Sequence, residues 1–192
     1  MFLPDEIQAI RAQFPALDSN SALFLDGPAG SQVPRRVGKA VTDYMFQTNA
    51  NSGGLFPTSV ATDTLFDEAL QTYAAFMGTD DPKSIVFGPN MTSLTFMISR
   101  ALAKTWNEGD EIVLSELEHD ANVSPWVIAA QARGVTVRRI PVRVEDCTLD
   151  MDHFRGLLTS KTRLVAVGYA SNATGTINPV HQISAMAHEV GA

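Results

Sequence analysis

The chain has 192 residues, 45% of them apolar and 18% charged, with a formal net charge of −7. That composition supports a sizeable folded core and excludes a disordered chain. An acidic, evenly mixed surface argues against nucleic acid as the main partner. The apolar runs are far shorter than the ~18 residues that cross a bilayer, and the opening MFLPDEIQAIRAQ lacks the basic and apolar regions of a secretory signal. A single cysteine, Cys147, allows no internal disulfide, so the expected setting is reducing and cytoplasmic.

Taken in order, residues 4–14 predict a short helix that Pro4 and Asp5 open. ALFLD (22–26) reads as a strand, followed by the Gly/Pro loop GPAGSQVP. Val37, Val41, Tyr44 and Met45 recur at helical spacing, as do Leu65, Phe66, Ala69, Leu70, Tyr73 and Phe76. Between them lies the polar loop QTNANSGGLFP (47–57). From residue 84 the pattern changes. SIVF, EIVLS, VTVRRI and RLVAVGYA are short β-rich runs, separated by helical patterns at 91–106, 122–133 and 151–158. This alternation predicts an α/β fold with a mostly parallel sheet and flanking helices. Helix 91–106 is apolar nearly all round, which predicts burial on several sides. The last pattern, VHQISAMAHEVGA, is a helix after which the alternation calls for another strand, so 1–192 is expected to be the N-terminal part of a longer polypeptide.

In parallel sheets, ligands bind beyond the carboxyl ends of the strands. Three such ends carry polar groups: Asn90/Thr92/Ser93, His119/Asp120/Asn122 and Ser171/Asn172/Thr174. In GPNMTSL, Asn90 is placed to cap a helix whose first N–H groups, on Met91 and Thr92, suit a phosphate. Neither a Walker loop nor a dinucleotide fingerprint is present. In EHDANVSPW, Asp120 is a carboxylate suited to a helix start, and Asn122 a candidate cap for the helix that Pro125 opens. Trp126 reads as core. His181, His188, Lys104 and Lys161 read as solvated, Cys147 as a thiol in a polar turn, and no metal-ligand cluster is expected.

FLDGPAGSQVP, FGPNMTSL, EHDANVSPW and SNATGTINP, in this order, resemble the class V aminotransferase family of fold type I pyridoxal-phosphate enzymes, nearest to its cysteine desulfurase and selenocysteine lyase branch. The resemblance covers essentially the whole chain. It implies pyridoxal 5′-phosphate as cofactor, an amino-acid substrate cleaved at a C–S or C–Se bond, and a homodimer. It places His119 as the catalytic residue stacked on the cofactor's pyridine ring, and Asn172 on its phenolic oxygen. Asn90, Met91 and Thr92 match the phosphate turn, with Asn90 and Met91 where the family commonly has threonines. The aspartate that pairs with the pyridine nitrogen and the lysine that anchors the cofactor are implied to lie beyond residue 192, so this chain alone is expected to be inactive. The implied division is an N-terminal segment, 1–20, belonging to the small domain, and 21–192 as an incomplete large domain. Alternatives are a non-catalytic scaffold of the same fold and an aminotransferase-type enzyme acting on another substrate.

Overall fold

The computed structural model describes residues 2–18 and 23–192. It forms two compact units, 1–87 and 88–192.

The first unit is helical. Helix α1 is Pro4–Arg11, α2 Pro15–Asp18, α3 Arg35–Asp43 and α4 Pro57–Met77. Proline opens α1 and α4, where its missing N–H costs nothing. Gly78, left-handed at φ 74°, ends α4. The loop before α4 is stapled to it. The buried Ser59 Oγ donates to the Asn51 carbonyl at 2.6 Å and accepts from Gly54 N–H at 2.7 Å. Asp63 accepts from Gly53 N–H and from the Ser52 hydroxyl. Residues 23–26 form no strand. Leu23 and Leu25 are exposed and have no ladder partner among the described residues; Ala22, the first residue of the expected run, lies outside them.

The second unit carries the sheet. Helix α5 is Met91–Leu102, β1 Glu111–Ser115, α6 Ser124–Gln131, β2 Thr136–Ile140, α7 Met151–Leu157, β3 Thr162–Ala166 and α8 Val180–Glu189. The strand order is β2-β1-β3, both pairings parallel. β1 is buried along its whole length, as a central strand covered on both faces must be. Its side chains alternate between two cores. Ile112 and Leu114 pack with Trp106, Trp126, Ala129 and Ala130. Val113 packs with Ile140, Phe154, Ile183 and Met186. Helices thus cover both faces of the sheet, the α/β architecture expected.

Two expectations are corrected. SIVF is not a strand: Ser84 ends a 3₁₀ turn, Pro82–Ser84, Val86 is exposed, and 85–87 have no ladder partner among the described residues. Helix α5 is not buried on several sides. Its buried line is Thr95 and Ser99, continued by Ala103 just past its end, small residues at four-residue spacing on the side that packs on α6. Met91, Met97 and Ile98 stay exposed. Small side chains let the backbones approach closely, so packing selects that stripe rather than the larger apolar ones.

Candidate functional site

The carboxyl ends of β1 and β3 lie side by side, because the two strands pair directly. After β1, Glu116–Glu118 lead into a single 3₁₀ turn, Asp120–Asn122, and then α6. His119 is the N-cap of that turn: its Nδ1 accepts the Ala121 N–H at 3.0 Å. The proton of the neutral imidazole therefore sits on Nε2. The ring is otherwise exposed. Asp120 accepts from the Ser124 hydroxyl at 2.6 Å. Asn122 is not a helix cap, contrary to expectation. Its Oδ1 accepts the Trp126 indole N–H at 3.0 Å and its Nδ2 donates to Glu118 Oε2 at 2.8 Å. The N-cap position of α6 is Val123, which offers no side-chain acceptor. His119 took the capping role because its Nδ1 reaches the first free N–H of the turn.

Glu118 ties the two strand ends together. Its Oε1 accepts the Ser115 hydroxyl and the Gly168 N–H, each at 2.6 Å. The fit at Gly168 is tight, since an added Cβ would stand 3.2 Å from Glu118 Oε2 and the carboxylate would have to give. On the other side Asn178 Nδ2 donates to the Gly168 carbonyl at 2.8 Å, while the buried Asn178 Oδ1 has no protein partner among the described residues. The segment 170–177 closes on itself through the antiparallel bridge Ala170↔Ile177. Ser171 Oγ accepts the N–H groups of Ala173 and Thr174, and Gly175 adopts φ 75°, a value glycine reaches without strain. Asn172 rides on this turn with its side chain exposed.

Asn90 caps α5, its Oδ1 accepting Ser93 N–H at 2.9 Å. The N–H groups of Met91 and Thr92 have no protein acceptor among the described residues, and both residues are exposed. These donors stand at the positive end of a helix of 12 residues. They follow a segment that joins no ladder among the described residues, so two of the three expected rim clusters stand at strand ends. Close to α5 lies the 120–122 turn, which packs against it. Sequence reasoning missed Glu118, Gly168 and Asn178. The visible signal was an acidic residue directly before a candidate histidine, but one of its donors, the Gly168 N–H, comes from 50 positions away.

Residues 23–192 match the aminotransferase class-V family. The chain belongs to this family. A probable cysteine desulfurase of Halobacterium salinarum is 35% identical over 98% of the chain and 47% of its own length. An aminotransferase-like protein of Gibberella zeae is 35% identical over 96% of the chain and 46% of its own length. The solved apo structure of a cysteine desulfurase from Thermococcus onnurineus superposes on all of the chain and 46% of its own, with a TM-score of 0.89 and 26% identity. The chain therefore spans about half the length of these relatives, and its fold is that of fold type I pyridoxal-phosphate enzymes. The four stretches that carried the resemblance in the sequence fall within or overlap the matched residues.

Proposed function

We propose that this chain holds pyridoxal 5′-phosphate at the carboxyl ends of β1 and β3, and that the protein it represents cleaves the C–S bond of an amino-acid substrate in the manner of cysteine desulfurases. The observation that carries this reading is His119: an exposed imidazole whose orientation is fixed by the Ala121 N–H, at the carboxyl end of the central strand. The donor set fits the cofactor. The N–H groups of Met91 and Thr92 at the start of α5 and the Thr92 hydroxyl offer hydrogen bonds to a phosphate without losing any protein partner. Asn90 serves the site by holding the helix start. His119 presents a ring face for stacking, with Nε2 as the atom that gives up or accepts a proton. Asn172 offers a side-chain amide to an oxygen on the ring. When bound, the cofactor supplies an electron sink for bonds at the substrate's α-carbon.

The lysines of the second unit do not stand at this site. Lys161 precedes β3, at the opposite end of the strand, and Lys104 lies past the carboxyl end of α5. On this reading the chain alone is expected to be inactive and to hold the cofactor reversibly. Homodimer formation and a cytoplasmic setting belong to the same reading. Supporting an exposed, dimer-directed loop, Leu55 is 99% exposed beside the stapled Gly53–Gly54 turn. No helix among the described residues is long and apolar enough to cross a membrane.

The test is equilibrium binding of pyridoxal phosphate to the chain and to His119→Ala and Asn172→Ala. Weak binding, removed by dialysis and reduced in both variants, is the expected result. Cofactor retained through dialysis and released by substituting Lys104 or Lys161 would overturn the assignment.

A further inference from the structure

Glu118 stands where the end of β1, the segment after β3 and the 120–122 turn meet, yet it bonds to none of the exposed groups assigned above. Its carboxylate receives three donors: the Ser115 hydroxyl from the end of β1, the Gly168 N–H from beyond β3, and the Asn122 amide from the 120–122 turn. We propose that Glu118 is a positioning residue that sets the orientation of His119. The route is a hydrogen-bond relay with one polarity. Trp126 Nε1–H donates to Asn122 Oδ1, and Asn122 Nδ2–H donates to Glu118 Oε2. Trp126 is core, 6% exposed, so the relay is anchored at its far end in packed side chains. An indole N–H only donates, a carboxylate only accepts, and the amide between them is thereby held in one of its two flips. Asn122 then fixes the turn, because its own N–H donates to the His119 carbonyl at 2.8 Å. That turn presents the Ala121 N–H to His119 Nδ1.

The polarity makes the idea testable. In Glu118→Gln, the glutamine can keep its oxygen toward Ser115 and Gly168, but its NH2 then faces the Asn122 NH2. If Asn122 flips to answer it, the Asn122 NH2 meets the Trp126 N–H. Either way two donors oppose each other. Asn122→Asp alone sets two carboxylates together. The double variant Glu118→Gln/Asn122→Asp restores the sequence of donors and acceptors: the glutamine NH2 donates to one aspartate oxygen, and the other accepts from Trp126.

The measurement is long-range proton–nitrogen NMR of His119 and of the Trp126 indole N–H in the full chain, together with pyridoxal-phosphate affinity. This inference rests on the proposed function only for the affinity readout. The wild type should show His119 protonated on Nε2, with Nδ1 as acceptor. Each single variant should lose that pattern, shift the Trp126 signal and weaken cofactor binding about tenfold, equivalent to about 1.4 kcal/mol. The double variant should recover all three. A Glu118→Gln protein with unchanged His119 and Trp126 signals, or a double variant that recovers neither, would overturn the relay. Changed signals with unchanged affinity would overturn the positioning role and leave Glu118 as a structural clamp. If the wild type itself fails to bind the cofactor, the functional reading falls, and the imidazole signature still decides the relay.

Discussion

His119 serves two demands with two parts of one ring. Nδ1 caps a turn, and the exposed face is free for a flat ligand. Substitutions can separate them. His119→Asn keeps a cap-type acceptor and removes the ring; its stability should stay within a few tenths of a kcal/mol of wild type, given how well asparagine caps, while cofactor affinity falls. His119→Phe keeps the ring and removes the acceptor; it should lose about 0.5–2 kcal/mol of stability, the usual cost of a lost cap, and retain more of the affinity. Thermal unfolding and cofactor titration of the two variants check this, and the reverse ranking would show that the ring face is not used. The neighbouring Asp120 carboxylate accepts from the Ser124 hydroxyl, close to the start of α6. Asp120→Asn should therefore cost a few tenths of a kcal/mol, the low end for a carboxylate near a helix start, with little change in affinity.

At the scale of elements, the loop before α4 is held by two side chains of that helix, Ser59 and Asp63. Ser59 is fully buried, and its Oγ bridges Asn51 and Gly54. Ser59→Ala removes both hydrogen bonds of the bridge, to the Asn51 carbonyl and from the Gly54 N–H, and should cost about 0.5–1.5 kcal/mol. Gly54→Ala should be no milder, since a Cβ there would stand 2.4 Å from the Phe56 ring. Hydrogen exchange should show residues 50–56 opening in the Ser59 variant while the 111–115 strand stays protected; uniform protection would show that the staple contributes nothing.

The sequence made the elements of the second unit legible because β1, β2 and β3 are short β-rich runs whose partners lie within this chain. It misled at 23–26 and 85–87. A β-rich composition shows that a segment can pair, not that a partner strand is present, and neither segment joins a ladder among the described residues. At the site, the clusters holding His119 and Asn172 were visible as polar groups after β-rich runs, while the roles proposed for the two residues came from the family resemblance. Asn122 was misread because Ser/Thr/Asp/Asn before an apolar helix is the usual cap signal, and here the amide is drawn instead to an indole and a carboxylate. Glu118 was illegible in its role, since its partner Gly168 is fixed only by the pairing of β1 with β3.

Across the sheet as a whole, the two ends of the strands carry opposite assignments. The carboxyl ends hold the proposed site, with its exposed His119 and Asn172. The amino ends hold buried acids with permanent partners: Glu111 accepts from Arg138 at 2.5 Å and from Thr159 at 2.8 Å, and Asp110 pairs with Arg163 at 3.0 Å. The Arg138 hydrogen bond, aided by Thr159 and outweighing burial, holds the Glu111 carboxyl below its ordinary value of 4.5. The unfolded chain then binds the proton more readily than the folded one, so this carboxylate adds stability that is fully present above pH 4.5 and is lost as the pH falls through the lower folded value. Asp146 and Asp150 are shifted the same way, so the wild type alone cannot isolate Glu111. The comparison with Glu111→Gln does, because those two acids are common to both proteins. At neutral pH the variant should be less stable by about 1–2 kcal/mol, the lower part of the range for hydrogen bonds to a charged group, since the Arg138 side chain is 41% exposed. Below pH 4.5 the two stability curves should converge. Denaturant unfolding between pH 7 and pH 3 measures this, and curves that run parallel throughout would show that the Glu111–Arg138 pair does not anchor the amino ends of the sheet.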